Sequence, residues 1–284
     1  METLRFYAMQ SSVDAGFWAE LRSRKLNSLR LSEEGLALSG RLSASARAEL
    51  PSCLQLDAAS FEVDQVTHHP AGQYFLPGTL QAMNTLEGFK DFDRSAALQQ
   101  AGRQVWQAIV SGAAEAEPSL LCPFFLLTHA DLKKYHFFYW FAFPALKPPA
   151  PFKSSAPRSL LDAMGAEVAA KVAAACDQWR AAQSARHLWI LDLTTSDGAS
   201  PKAVPLSSAA DLIAAGGRFA LAVADPSNLR DHPGWPLRNA LLLAAARWKV
   251  ERLTVVCVRE ARGRCDPATS VSFEVECPQV PAGW

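Results

Sequence analysis

The sequence lacks a net charge, a long apolar run and a paired-cysteine motif, and each absence excludes a class of protein. Its 284 residues carry 28 Lys and Arg against 28 Asp and Glu, so no long-range field attracts nucleic acid or an anionic membrane. The longest apolar stretches, Phe137–Ala145 and Ala240–Ala246, are far shorter than the roughly 20 residues that cross a bilayer. The 6 cysteines show no C-x-x-C spacing, which indicates reduced thiols rather than a disulfide scaffold or a zinc ribbon. We therefore expect a cytoplasmic protein with no signal peptide, no membrane insertion and no nucleic-acid partner.

Catalytic signatures are also missing. No G-x-G-x-x-G or G-x-x-x-x-G-K-[ST] loop could cradle the phosphates of a nucleotide, and there is no G-x-S-x-G or H-E-x-x-H motif. His68 and His69 are adjacent, so their side chains point apart in extended chain, and no third metal ligand stands at a suitable spacing. Cys265 lies in a basic loop and has the most reactive setting of the cysteines, but sequence places no base beside it. We expect no catalytic residue and no metal site on this chain.

The first half of the chain shows two amphipathic helices followed by two apolar runs. Asp14 is a good N-cap for a helix that ends near Leu26, and a second helix is predicted from about Ser95 to Val110. The apolar stripe of this second helix is Leu98, Ala101, Val105 and Ile109, and Gly112 follows as a stop. The two runs, 124–128 and 135–143, are predicted to be neighbouring buried strands, with His136 as a core histidine.

A proline-rich segment divides the chain. Five prolines between Pro144 and Pro157 predict a connection over residues 146–158, with one lobe at 1–145 and a second at 159–284. The second lobe alternates strands and helices, which favours a mainly parallel sheet covered by helices. The predicted fold class is therefore α/β, with two lobes of mixed sheets flanked by helices.

The segment from Asp225 to Asn239 leaves a predicted strand and enters a helix. Three prolines and a glycine fix its backbone, and its polar residues would lie beyond the end of the strand, where open α/β sheets bind ligands. Trp and Arg are also the residue types that most often anchor protein interfaces. The candidate partner-binding residues are Asn228, Trp235, Arg238 and Arg247.

Several strings of residues resemble one family. Ser-Ser-Val-Asp-Ala-Gly-Phe-Trp at 11–18, Tyr-Trp-Phe-Ala-Phe-Pro at 139–144 and Pro-Gly-Trp-Pro-Leu-Arg-Asn at 233–239 are similar to the N-terminal domain of the autophagy-specific activating enzymes for ubiquitin-like modifiers. The resemblance runs from about Phe6 to Trp284, and the last string is the most specific.

This resemblance implies a non-catalytic recruitment domain. Enzymes of the family use ATP and magnesium to adenylate a modifier, but the nucleotide loop, zinc-binding cysteines and catalytic cysteine belong to a C-terminal adenylating part that this sequence lacks. The N-terminal domain is implied to bind the autophagy conjugating enzymes, partly through a groove that accepts a flexible segment, so that thioester-bound modifier can be handed over. Its other implied partner is the C-terminal adenylating domain, and its implied location is the cytoplasm, with recruitment to sites of autophagosome formation.

Two other functions stay open at this point. The chain could be a free-standing α/β enzyme with a site beyond the strand ends, built from Asp192, Asp225 and Cys265. It could also be a structural spacer within the larger enzyme. An enzyme predicts a concave pocket where two titratable groups converge, a recruitment domain predicts a shallower apolar groove with a basic rim, and a spacer predicts no unusual apolar patch.

Overall fold

The computed structural model describes residues 1–45, 49–63, 73–131, 134–194 and 200–281. The described strands are β1 Glu2–Thr3, β2 Gln10–Val13, β3 Leu36–Ser43, β4 Cys53–Leu56, β5 Gln73–Met83, β6 Phe124–Asp131, β7 His136–Ala142, β8 Lys153–Ser154, β9 Arg158–Ser159, β10 Leu188–Asp192, β11 Lys202–Val204, β12 Phe219–Ala224, β13 Arg252–Val258, β14 Glu260–Ala261, β15 Arg264–Cys265 and β16 Val271–Glu276. The described α-helices are α1 Ala15–Asn27, α2 Leu86–Asp91, α3 Arg94–Ser111, α4 Ala113–Ala116, α5 Leu160–Met164, α6 Ala166–Ala182, α7 Ala209–Ala214 and α8 Leu237–Leu243, and a π-helical turn, Ala244–Trp248, continues α8.

The strands form two large mixed sheets, which confirms the α/β class. The N-terminal sheet has the order β2-β4-β3-β5-β6-β7, with two parallel pairs, β2 with β4 and β5 with β6. The C-terminal sheet has the order β1-β8-β16-β13-β12-β10-β11, and β9 also pairs with β16. Because β1 and β8 pair with each other and β8 pairs with β16, both the start of the chain and the proline-rich connection join the C-terminal sheet. The division of the chain at 146–158 stays a prediction.

The prediction that the second lobe contains a mainly parallel sheet is wrong. Among its described pairs only β12 and β13 are parallel, whereas β10 runs antiparallel to β12 and β16 runs antiparallel to β13. Strands that alternate with helices are parallel only when each connecting segment crosses over the sheet. The alternation alone therefore does not determine strand direction.

Local signals placed several element ends correctly. Asp14 caps α1, because its Oδ1 accepts from the backbone N of Phe17 at 2.8 Å. Gly112 ends α3 with φ +83, a conformation that a residue with a Cβ rarely adopts. Gly165, with a φ of +77, separates α5 from α6.

The C-terminal sheet separates two hydrophobic cores. Trp189 and Val256 point into a first core that continues across the inner face of the N-terminal sheet and includes α1 and α6. Ile190 and Val255 point into a second core that is covered by α8 and by α3, a helix of the N-terminal half. The central strands β10, β12 and β13 therefore bury both of their faces, and the two lobes share their interior.

The aromatic strand β7 departs from expectation. It is the edge strand of the N-terminal sheet, paired on one side with β6, and it is largely exposed rather than buried. Tyr139 is 48% exposed and His136 is also exposed, so His136 is not a core histidine. The prediction that β7 is buried is wrong because β7 is an edge strand, and no neighbouring described strand covers its outer side.

A buried ionic contact joins the two sheets. The carboxylate of Glu260, on β14, accepts a hydrogen bond from Tyr74 Oη at 2.6 Å and from Arg180 Nε at 3.1 Å. The guanidinium of Arg180 also donates to the carbonyl of Gln73 at 2.8 Å and lies 4.2 Å from the centroid of the Tyr74 ring. Burial, the largest effect, raises the pKa of Tyr74 well above its ordinary value, so the phenol stays a donor. We call this contact the interlobe clasp.

We expect Glu260→Ala to lower the free energy of unfolding by about 3–5 kcal/mol, because it leaves Arg180 buried without its partner. Tyr74→Phe should cost about 1.5–3 kcal/mol, the value of one hydrogen bond to a charged group. Chemical denaturation measures both. Glu167→Ala is the control, since Glu167 forms an exposed ion pair with Lys171 on the same α6 and should leave the midpoint unchanged. Equal effects of Glu260→Ala and Glu167→Ala would contradict the clasp.

Candidate functional site

Helix α3 is apolar on two faces. Val105 and Ile109 are buried in the second core, as predicted. Leu98, expected in the same stripe, is instead 42% exposed and begins a second stripe, four residues apart at each step, that continues through Gly102 and Trp106 to a 45% exposed Val110. At 100° per residue, Leu98 lies within about 20° of Val105 and Ile109 around the helix axis. Its exposure therefore reflects its place near the start of α3, before the second core begins at Val105. An exposed apolar stripe on a helix is a feature of interaction surfaces.

Three adjoining cavities lie along this stripe. The middle one, about 480 Å³, lies between α3 and residues 145–147. It shares Leu146 and Lys147 with a cavity of about 260 Å³ that is bounded by Leu4 and the proline-rich connection. It shares Trp106 with a third, of about 250 Å³, between the end of α3 and the π-helical turn. The three form one surface between the lobes, which we call the basic groove.

The groove has an apolar floor and a positively charged rim. No Asp or Glu lines any of its three cavities within the described chain, whereas several cations do: Arg103, Lys147, Arg238, Arg247 and Lys249. Arg238 lies 4.9 Å from the centroid of the Trp235 ring, and burial lowers its pKa without making it neutral at physiological pH. This arrangement suits a ligand that has an apolar face and acidic groups.

Asn239 holds the wall of the groove in place. This buried side chain accepts from the backbone N of Leu146 at 3.0 Å and donates to the carbonyls of Leu121 at 2.8 Å and Pro144 at 3.0 Å. One amide thus satisfies three backbone groups of two loops that have no strand partners. Sequence reasoning missed this residue, although an asparagine inside an otherwise apolar helix was a usable signal.

A further cavity, about 580 Å³, lies elsewhere, at the end of β12, and is lined by Asp225, Asn228 and Arg259 among others. The carboxylate of Asp225 is buried and accepts from Arg259 Nη2 at 3.2 Å. Burial, the largest effect, raises the pKa of Asp225, while the ion pair with Arg259 opposes the rise. Asp225 and Arg259 therefore form a buried ion pair, and we interpret this pair as a structural contact.

The residues of the enzyme alternative do not converge. Asp192 ends β10, and β10 runs antiparallel to β12, with Asp192 opposite Phe219. Asp225 follows the other end of β12, so the two carboxylates lie about 20 Å apart at the usual rise of ~3.4 Å per residue. Cys265 packs below α6 and lines none of the described cavities. The expected cluster required β10 and β12 to be parallel, whereas they are antiparallel.

The comparisons with known proteins agree over nearly the whole chain. The family model of the N-terminus of the ubiquitin-like modifier-activating enzyme ATG7 matches residues 4–284. ATG7 of Rattus norvegicus is 37% identical over 99% of this chain, and ATG7 of Homo sapiens is 36% identical over 99%. This chain belongs to the ATG7 N-terminal family. It spans 40% of the length of each of these two relatives.

Solved structures of ATG7 N-terminal domains have the same fold. The Kluyveromyces marxianus Atg7NTD–Atg10 complex aligns with a TM-score of 0.67 at 19% identity, covering 97% of this chain and 87% of that chain. The K. marxianus Atg7NTD alone gives 0.65 at 19% identity, covering 96% and 89%. The first of these domains is in complex with Atg10.

The candidate partner residues of this ATG7 N-terminal chain fall in two places. Arg238 and Arg247 line the basic groove, at opposite ends. Trp235 lies under Arg238 and packs against the first core. Asn228 is exposed in the 580 Å³ cavity and donates to the carbonyl of Ser45 at 2.8 Å. Their role in partner binding stays a prediction.

Arg247 also has a structural role. Its Nε donates to Glu115 Oε2 at 2.7 Å, and the indole of Trp248 donates to Glu115 Oε1 at 2.7 Å. The π-helical turn directs these two consecutive residues toward Glu115 on α4.

Metal and membrane sites find no support in the described part of the chain. No three His, Cys, Asp or Glu side chains there are grouped to hold a metal ion. His68 and His69 lie outside the described residues. Among the described helices, none has both the length and the apolar character needed to cross a membrane.

We expect Asn239→Ala to lower the free energy of unfolding by about 3 kcal/mol or more, since it leaves three backbone groups without partners. Asn228→Ala is the matched control, an exposed asparagine whose loss should cost about 1 kcal/mol. Urea denaturation of both variants tests this. A loss for Asn239→Ala no larger than that for Asn228→Ala would mean that Asn239 does not hold the wall of the groove.

Proposed function

We propose that this chain recruits autophagy conjugating enzymes through the basic groove, so that thioester-bound modifier passes to them from the activating enzyme. The single observation that carries the proposal is an apolar groove whose charged lining residues, among those that the structure describes, are all Arg and Lys, in a member of the ATG7 N-terminal family. A related domain, the K. marxianus Atg7NTD, is solved in complex with Atg10. That pairing supports a conjugating enzyme as the partner.

The shape of the groove suits a flexible segment rather than a folded domain. It follows α3, and Arg238 and Arg247 line its two outer cavities. An amphipathic segment could place its apolar residues along Leu98, Gly102 and Trp106 and its acidic groups toward the rim. Such a segment orders on binding, which lowers affinity per unit of buried area but allows release after transfer.

The spacer alternative predicts no unusual apolar surface, yet Leu98 and Val110 are both exposed on α3. The enzyme alternative needs converging titratable groups, and its residues Asp192, Asp225 and Cys265 are separated in the fold. The recruitment function requires an exposed apolar surface and does not require converging titratable groups, so it agrees with both observations.

Filling the groove should abolish recruitment without unfolding the chain. We expect Gly102→Leu to raise the Kd for an autophagy conjugating enzyme at least tenfold, about 1.4 kcal/mol, because the side chain occupies the floor. Gly102→Ala is the matched control: its Cβ would meet Leu146 Cδ2 at an ordinary 3.6 Å, so binding should persist. Leu98→Asp should also weaken binding, whereas Val168→Asp, at a similarly exposed 43% position on α6, should not. Titration calorimetry with a thermal-unfolding check decides the question, and unchanged binding in both groove variants would refute the proposal.

The positive charges on the rim of the groove should contribute to binding separately from its apolar floor. We expect Arg103→Glu and Lys147→Glu to weaken binding of the conjugating enzyme at low salt, with the difference from the parent chain shrinking as ionic strength rises. Lys202→Glu is the control, since β11 lies at the opposite edge of the C-terminal sheet from β1. Association rates over a salt series measure the effect. Equal losses for all three reversals would indicate a nonspecific charge effect and contradict an acidic ligand in the groove.

A further inference from the structure

Among the edge strands that the structure describes, β7 is the only long one without protection. It pairs with β6 over 7 consecutive positions with no bulge, and no described strand lies on its other side. The other described edges are short: β1 has 2 residues, β2 has 4, and β11 has 3 between Pro201 and Pro205. Proteins protect long edges with lysine, proline or a bulge, because unpaired backbone groups otherwise recruit another strand. β7 contains none of these, so its edge can accept a strand.

The aromatic side chains of β7 are held in place by their own chain. The ring of Phe137 stacks on Trp18, with centroids 4.6 Å apart. The next residue, Phe138, points to the opposite face of the sheet, where its ring centroid lies 6.2 Å from that of Phe89. Phe138 and Tyr139 nevertheless remain 37% and 48% exposed. Because the row is already ordered, covering it costs little conformational entropy.

The sequence of β7 and its flanks is symmetric about Tyr139. If the strand pairs antiparallel with a copy of itself centred on this residue, positions equally far from Tyr139 face each other. The facing pairs are Tyr135 with Phe143, His136 with Ala142, Phe137 with Phe141, Phe138 with Trp140, and Tyr139 with itself. Facing aromatic residues stabilise a sheet, whereas facing like charges destabilise it. Since nearly every pair is aromatic and none brings Lys, Arg, Asp or Glu together, the strand is complementary to itself.

We propose that β7 is a self-association surface, on which a second copy of this chain adds its own β7 antiparallel across a two-fold axis at Tyr139. The two N-terminal sheets then join into one continuous sheet. One strand from each copy is a small contact, so the dimer is reversible rather than obligate.

The charges of the strand and of the chain favour a second copy as the occupant. β7 carries no Asp, Glu, Lys or Arg that could select a partner of opposite charge. The net charge of the whole chain is +0, so two copies do not repel each other at long range. None of the described residues that line the basic groove lies on β7, and the self-association surface is therefore independent of the proposed recruitment function.

Sedimentation velocity of the chain over a concentration series tests the proposal, and we expect a reversible rise from the mass of one chain toward that of two. Tyr139→Lys and Tyr139→Glu should each raise the Kd of the dimer by about tenfold or more, because each variant places like charges opposite each other at the axis. An equimolar mixture of the two variants should dimerise again, since opposite charges then face each other. Val168→Lys, at a 43% exposed position on α6, is the matched control and should dimerise as the parent chain does.

A parent chain that stays monomeric throughout the series would overturn the proposal, and this measurement needs no variant. So would a dimer that Tyr139→Lys leaves unchanged, or a mixture of the two variants that stays monomeric although each unfolds thermally like the parent. If Tyr139→Lys abolishes binding of a conjugating enzyme while the parent chain is monomeric, the edge accepts a strand of that enzyme and not a second copy.

Discussion

The carboxylate of Glu260 is the point on which the arrangement of the two sheets depends. It is the shared acceptor for a phenol from β5 and a guanidinium from α6, and it comes from a two-residue strand of a small hairpin. Because all three groups are buried, none can return to water without separating the sheets. The geometry around this oxygen thereby sets how α6 lies against the N-terminal sheet, and apolar packing in the first core follows that placement.

The groove forms because α3 contributes only one of its faces to a hydrophobic core. Helix α3 serves the second core with one face, and the proline-rich connection passes over its other face without covering it. Prolines supply no backbone N–H, and within this connection only the short strands β8 and β9 pair with the C-terminal sheet. Asn239 holds the connection at a fixed height above α3. An open apolar floor results from how the chain is routed.

Local features of the fold could be predicted from the sequence, and long-range ones could not. Asp14 and Gly112 were correctly assigned because caps depend on a residue and its nearest neighbours. Strand direction in the C-terminal sheet was not, since a strand buried on both faces shows the same apolar run in either orientation. The groove combines Leu4, Leu98 and Lys147, which no motif connects. Arg238 and Arg247 were found because their residue type suits interfaces, whereas Asn239 was missed because its role exists only through loops remote in sequence.

The sharing of α3 has a thermodynamic consequence. Val105 and Ile109 belong by chain order to the N-terminal half, yet they complete the core beneath α8, and the first core in turn spans both sheets. Neither lobe can lose its structure while the other keeps a closed interior. The molecule should therefore unfold as one cooperative unit despite its two sheets, and a cut within the proline-rich connection would leave two fragments that each expose half of a core.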